Sequence, residues 1–204
     1  YVKETTNIRI ENENMLRAKY TLSYEEADPY HIIVTWDRMI LRYQGFIDNL
    51  IQSNSIIEQS YFNVFNRITT LDGFGKAVEV AVQTTFLNTS VHEDNLVEEF
   101  KKSYFVSGKI NNILKDTTDY SVILESQKDT VLTTVKFGPY LGEVDLQKSN
   151  IIPQQQDIVD STKKTGYMAE VRVGEIISQT PGFSKYKELH STSKTIVNNL
   201  WNLK

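Results

Sequence analysis

Histidine, the side chain that most often does acid–base or metal chemistry near neutral pH, occurs three times in the 204 residues. The three are His31, His92 and His190, and no two of them have the i, i+4 spacing that places both rings on one helix face to bind a metal. The chain has no cysteine, which excludes thiolate nucleophiles, disulfides and zinc sites with sulfur ligands. These residues therefore predict neither a catalytic centre nor a metal site.

Two short glycine-containing segments resemble parts of nucleotide-binding motifs. Ser-Gly-Lys at 107–109 matches the end of a phosphate-binding loop, but Ser103 stands where the first glycine is needed, and Ile110 follows where Ser or Thr is needed. Gly-Phe-Gly at 73–75 lacks the third glycine of a dinucleotide-binding turn. We therefore expect no bound cofactor.

Glu25, Glu26 and Asp28 form a short-range acidic cluster that could hold a divalent cation. Carboxylates just before a helix also stabilise its positive end, by about 0.3–1 kcal/mol each, and this accounts for all three residues if a helix begins at Pro29. Carboxylates from distant segments can still meet in space, as they do in glycosidases. An enzyme with a site assembled from dispersed carboxylates and histidines therefore remains an alternative.

The composition is that of an ordinary globular protein, with 40% hydrophobic and 24% charged residues. The length predicts a single α+β domain over residues 1–204. With 22 basic and 26 acidic residues, and no long basic run, we expect no nucleic-acid binding. No apolar run is long enough for a membrane span. The absence of cysteine and of a signal-peptide pattern favours a cytoplasmic or virion location.

The N-terminal third has apolar residues at helical spacing. Asp28 and Pro29 form a helix-start signal, and Ser55 with Glu58 forms a capping box that would begin a second helix. The pattern predicts a long N-terminal helical pair. The apolar stripe of its first member comprises Ile32, Trp36, Met39, Ile40, Tyr43, Phe46, Ile47, Leu50 and Ile51.

Alternating polarity predicts strands before and after this pair. A short helix is expected around 96–100, and a C-terminal helix is expected from about 189 to 203. We therefore predict an α+β fold in which an antiparallel sheet packs against the helical pair and the C-terminal helix. This order of elements is similar to the helix-grip arrangement, which implies a small-molecule or lipid-binding module as an alternative. The predicted strands are 7–14, 18–25, 78–86, 120–125, 130–137, 141–146 and 167–173.

A polar stretch at 147–166 predicts an extended arm or long loop, and such long loops usually have a function or contact another chain. Phe62 lies off the main stripe of its predicted helix, and Tyr30 lies at the mouth of the helical pair, so both are interface candidates. The remaining interface candidates lie in the arm: Pro153, Gln154, Gln155 and Gln156. We expect a non-enzymatic structural or assembly subunit that binds copies of itself or other protein subunits, for example in a phage or virus particle.

Overall fold

The structure is a computed structural model. It describes residues 7–14, 17–24, 28–35, 39–52, 55–70, 76–89, 95–105, 109, 117–142, 164–177 and 179–202. These residues divide into two compact units, one ending at Tyr61 and the other beginning at Phe62. Each unit contains an antiparallel four-stranded sheet, so the chain has a mixed α+β fold. That the whole chain forms one domain remains a prediction.

The first unit contains a sheet of four strands in sequential order. Its strands are β1 (Asn7–Asn14), β2 (Arg17–Tyr24), β3 (Asp28–Thr35) and β4 (Met39–Tyr43), each antiparallel to the next. The two strands predicted at 7–14 and 18–25 are confirmed, to within one residue.

The first helix of the predicted helical pair is wrong. Strands β3 and β4 occupy most of the range from 28 to 51, and α1 (Asp48–Ile51) is the one helix among the described residues of that range. The segments 32–34 and 39–41 are continuous apolar runs, which satisfy a helical and an extended period equally well. β-Branched residues at 32–34 favour the strand, and Pro29 is tolerated because it lies at the second residue of β3.

The second helix of the pair is confirmed as α2 (Ile56–Thr69). Its predicted cap is present, because the backbone N–H of Glu58 donates a hydrogen bond of 3.1 Å to Oγ of Ser55. This bond satisfies one of the backbone donors that a helix start leaves open.

The second unit contains a sheet in the order β5–β8–β7–β6, with every neighbouring pair antiparallel. The strands are β5 (Glu79–Asn88), β6 (Val122–Lys128), β7 (Val131–Tyr140) and β8 (Gly166–Ile176). Strand β8 lies at the centre, between β5 and β7, although it is the last strand in the sequence. The strands predicted at 78–86, 120–125, 130–137 and 167–173 are confirmed, with bounds that differ by a few residues.

Two helices cover one face of this sheet. α3 (Leu96–Tyr104) packs on β7, and α4 (Phe183–Trp201) packs on β5 and β8. The α4 residues Tyr186, Leu189, Ser193 and Val197 are buried, and their spacing of three and four residues places them on one helix face. The predicted short helix and C-terminal helix are therefore both present.

The β6–β7 hairpin turns at Asp129-Thr130, and Asp129 has φ of 53°, a left-handed conformation that Asp tolerates. Strand β7 runs through Gly138-Pro139 to Tyr140. Pairing with β6 stops at Phe137, so Pro139 has a paired strand on one side only, a position where proline is tolerated.

Two predicted features fall mostly on residues that the structure does not describe. The strand predicted at 141–146 falls mostly outside the described residues. The same holds for the arm at 147–166, of which only 164–166 are described, with β8 beginning at Gly166. Both remain predictions.

Candidate functional site: the exposed edge of the second sheet

Strand β6 begins with three consecutive apolar residues, Val122, Ile123 and Leu124, and continues with four polar ones. Because successive side chains of a strand point to opposite faces, this run places apolar groups on both faces of the sheet. The strand register shows which face each residue occupies. Leu124 lies opposite Val135 of β7, which in turn lies opposite Val171 of β8.

The helices cover this face unevenly. Val135 is 7% exposed and Val171 is fully buried, whereas Leu124 on the neighbouring strand is 56% exposed. Among the described residues, α4 packs on β5 and β8 and α3 packs on β7, and neither helix has an extensive contact with β6. In this row of apolar side chains across the sheet, the members on β8 and β7 are therefore buried and the member on β6 is exposed.

The opposite face of β6 carries a second exposed apolar side chain. Ile123 is 60% exposed and shares its face with Lys136 of β7 and Glu170 of β8, both charged. A single large apolar side chain on a surface is common, but two adjacent ones on opposite faces of one strand are not explained by packing within the sheet.

The backbone of β6 is also open on its outer side. In the part of the chain that the structure describes, β6 is the last strand of its sheet and pairs with β7 only. The register of β6 on β7 runs without a shift from Val122 to Lys128, so no bulge bends the strand away. A regular edge strand presents a row of N–H and C=O groups that another strand can pair with.

Tyr104, at the end of α3, extends the apolar area on the helix-covered face. Its ring lies 5.3 Å from that of Phe137 and 4.7 Å from that of Phe100 (centroid distances), and the residue is 45% exposed. Phe137 in turn lies opposite Val122 in the strand register. We refer to Val122–Lys128 together with Tyr104 as the β6 edge.

A second candidate site is a cleft of about 280 Å³ at the start of α4. Its charged group is Lys185, whose Nζ lies 3.5 Å from Glu175 and 3.2 Å from Glu188. The hydrogen bond with Glu188, offset in part by burial, raises the pKa of Lys185. Thr130 also donates a hydrogen bond to Glu175. The cleft is lined by Val80, Glu175, Ile177, Gln179, Pro181, Gly182, Lys185 and Tyr186.

The charged side chains of this cleft are held by contacts with one another. Its carboxylate at Glu175 is engaged by Lys185 and Thr130, so it is held in place by two partners. Burial raises the pKa of Tyr186 above its ordinary value. An apolar wall with one fixed ion pair can orient a small polar molecule.

The structure places the predicted interface residues in different parts of the fold. Phe62 is half-buried on α2, with edge contacts to Phe183, Tyr186 and His190 of α4 at centroid distances of 5.2–5.9 Å. Lys187 lies 5.3 Å above the Phe62 ring. Tyr30 lies in β3, where its backbone pairs in register with Leu22 and Tyr43. Pro153 and Gln154–Gln156 lie outside the described residues, and the interface roles of all six remain predictions.

The two described histidines lie on different elements of the chain. His31 lies in β3 of the first unit, and His190 is buried on α4 of the second. His92, Glu25 and Glu26 lie outside the described residues. Among the described residues, no group of three or more His, Asp or Glu could hold a metal ion.

The sequence predicted a strand at 120–125, but it did not predict that this strand lies at the exposed edge of the sheet. The signal was the run Val-Ile-Leu at 122–124, which interrupts the polar–apolar alternation expected of a strand with one wet face. A run of that kind is also typical of a buried central strand, so the sequence could not distinguish the two positions.

Two further observations bear on the site. No helix in the described ranges is long and apolar enough to cross a membrane. Comparison of the chain with family models, curated proteins and solved structures finds no match. The function is therefore argued from geometry.

Proposed function

We propose that this chain is a non-enzymatic structural or assembly subunit that acts through protein–protein contacts, chiefly with copies of itself. The observation that supports this most directly is the β6 edge, where Ile123 and Leu124 are 60% and 56% exposed beside an open backbone. A phage or virus particle is one concrete setting for such a subunit.

The composition of the edge strengthens the argument. Natural proteins protect an edge strand with charged side chains, proline, a bulge or an inward-pointing charge. Within β6 the charged residues Glu125 and Lys128 follow the apolar run, and the first three residues of the strand are wholly apolar. An apolar edge segment of this kind is a site for strand addition from another chain.

Native mass spectrometry over a dilution series tests this function. We expect masses at multiples of the 23.5 kDa chain that decrease to the monomer on dilution. The same chain in denaturing solvent provides the control, because it must give the monomer mass alone. A monomer at every concentration would contradict the proposed function.

The cleft at α4 supports a second candidate, a small-molecule-binding module. In the helix-grip arrangement the ligand lies between the sheet and the C-terminal helix, and this cleft is lined by β5, β8 and the start of α4. The same native spectrum distinguishes the two functions. A monomer that carries an added small mass, lost in the Lys185→Ala variant, would favour the ligand-binding function.

A further inference from the structure

We propose that β6 pairs antiparallel with β6 of a second copy of this chain, about a twofold axis that passes through Ile123. This inference rests on the proposed function and specifies its partner and its contact. The two four-stranded sheets would join into one continuous sheet of eight strands, because β6 is the outer strand of each.

A twofold axis normal to the sheet keeps the helix-covered faces of both copies on the same side. Residues that lie opposite each other must then occupy the same face, so the axis passes through a single residue and not between two. With the axis at Ile123, this side chain meets Ile123 of the second copy on one face. On the other face Val122 meets Leu124 of the second copy, and Leu124 meets Val122.

The residues that flank the apolar run are compatible with this register. Ser121 would lie opposite Glu125, and Tyr120 opposite Ser126, so no like charges meet. The two neighbouring registers are worse. An axis at Leu124 places Ile123 opposite Glu125, and an axis at Val122 places Ile123 opposite Ser121. Only with the axis at Ile123 do apolar side chains lie opposite apolar side chains on both faces of the sheet.

A second copy fits this edge better than an unrelated peptide because the apolar run is complementary to itself. The contact is small, since it consists of one short strand and the adjacent Tyr104 from each copy. Interfaces of this size are at the low end for specific complexes, so we expect a dissociation constant of about 1–100 µM.

The first test compares two Ile→Lys variants by sedimentation over a concentration series. Ile123→Lys puts like charges on the axis, and we expect at least a tenfold weaker dissociation constant. The matched control is Ile176→Lys, because Ile176 is 73% exposed on the same face of the sheet but lies at the end of β8. This control should associate like the unmodified chain, and circular dichroism checks that both variants fold.

The second test uses the absence of cysteine from the chain. In the proposed register, Ile123→Cys brings two thiols together at the axis with Cα atoms about 4.5–5.5 Å apart, within the range of a disulfide. In Leu124→Cys the two thiols are offset by two residues, so their Cα atoms lie about 8 Å apart, beyond that range. Mild oxidation should therefore give a covalent dimer of the first variant and little of the second.

The outcomes separate this inference from the proposed function. If the unmodified chain associates but Ile123→Lys has no effect and Ile123→Cys does not cross-link, then the strand pairing is wrong and the proposed function stands. If Leu124→Cys cross-links faster than Ile123→Cys, the register is wrong. If the unmodified chain remains monomeric, both the pairing and the proposed function are contradicted.

Discussion

Tyr186 of the second unit is buried among aromatic side chains. Its ring stacks on Phe65 of α2 at a centroid distance of 4.0 Å with 8° between the ring planes, and it has edge contacts with Phe62 and His190. Loss of water around the hydroxyl disfavours the phenolate, so burial raises the pKa of Tyr186 above its ordinary value of 10.0.

This shift predicts a loss of stability at alkaline pH that depends on one hydroxyl. Below pH 10 the phenol is neutral in both the folded and the unfolded chain, so its ionisation does not lower the free energy of unfolding. Above pH 10 the unfolded chain loses the proton first, which favours unfolding, by about 1.4 kcal/mol at pH 11. Tyr186→Phe keeps the ring and removes this effect.

Urea unfolding at pH 9, 10 and 11 measures the difference. The free energy of unfolding of Tyr186→Phe should increase relative to that of the unmodified chain as pH rises. Tyr104→Phe is the control for loss of one hydroxyl, because Tyr104 is 45% exposed. A constant difference between Tyr186→Phe and the unmodified chain across this range would disprove the effect.

At two glycines of the second sheet, another backbone segment comes so close that a Cβ atom would clash with it. A Cβ atom on Gly166, at the start of β8, would lie 2.1 Å from the carbonyl oxygen of Asn88 in β5. A Cβ atom on Gly138 in β7 would lie 2.6 Å from the carbonyl oxygen of Tyr120. Both obstacles are backbone atoms, so a side chain at either position requires the strands to move apart.

Gly166→Ala should therefore destabilise the second sheet by about 1–3 kcal/mol, as overpacking does elsewhere. Thermal unfolding by circular dichroism measures this as a lower transition temperature. The control is Gly182→Ala, since no atom lies within 4 Å of a Cβ at Gly182 and its φ is −75°. An equal decrease of the transition temperature in the two variants would show that the close approach to the Asn88 carbonyl does not add to the loss of stability.

Self-association at the β6 edge would make the stability of the whole molecule depend on its concentration. A dimer that forms only between folded chains stabilises them by mass action, so the transition temperature increases with protein concentration. The two compact units need not unfold together, because only the second contains β6.

We therefore expect the transition temperature of the second sheet to increase measurably between about 1 and 100 µM protein, the range of the expected dissociation constant. In Ile123→Lys the dependence should disappear, whereas in Ile176→Lys it should persist. Scanning calorimetry at four concentrations is sufficient. A transition temperature that is independent of concentration in the unmodified chain would argue against association at the β6 edge.

Elements with local sequence signals are predictable from the sequence. The cap of α2 at Ser55, the alternation in β5 and β8 and the helical spacing in α4 each depend on residues a few positions apart, and all four elements are present. The helix predicted at 28–51 is wrong because short apolar runs fit a helical and an extended period equally well. Here β3 and β4 form an antiparallel pair within a sheet.

Only the tertiary structure decided where the β6 edge lies. Val122-Ile123-Leu124 has the composition of a buried strand, and its exposure depends on strand order, with β8 inserted between β5 and β7 so that β6 lies outermost. It also depends on α3 and α4, which in the described part of the chain pack on β7, β5 and β8 and have no extensive contact with β6. These contacts join residues many positions apart, so no local pattern around β6 records them.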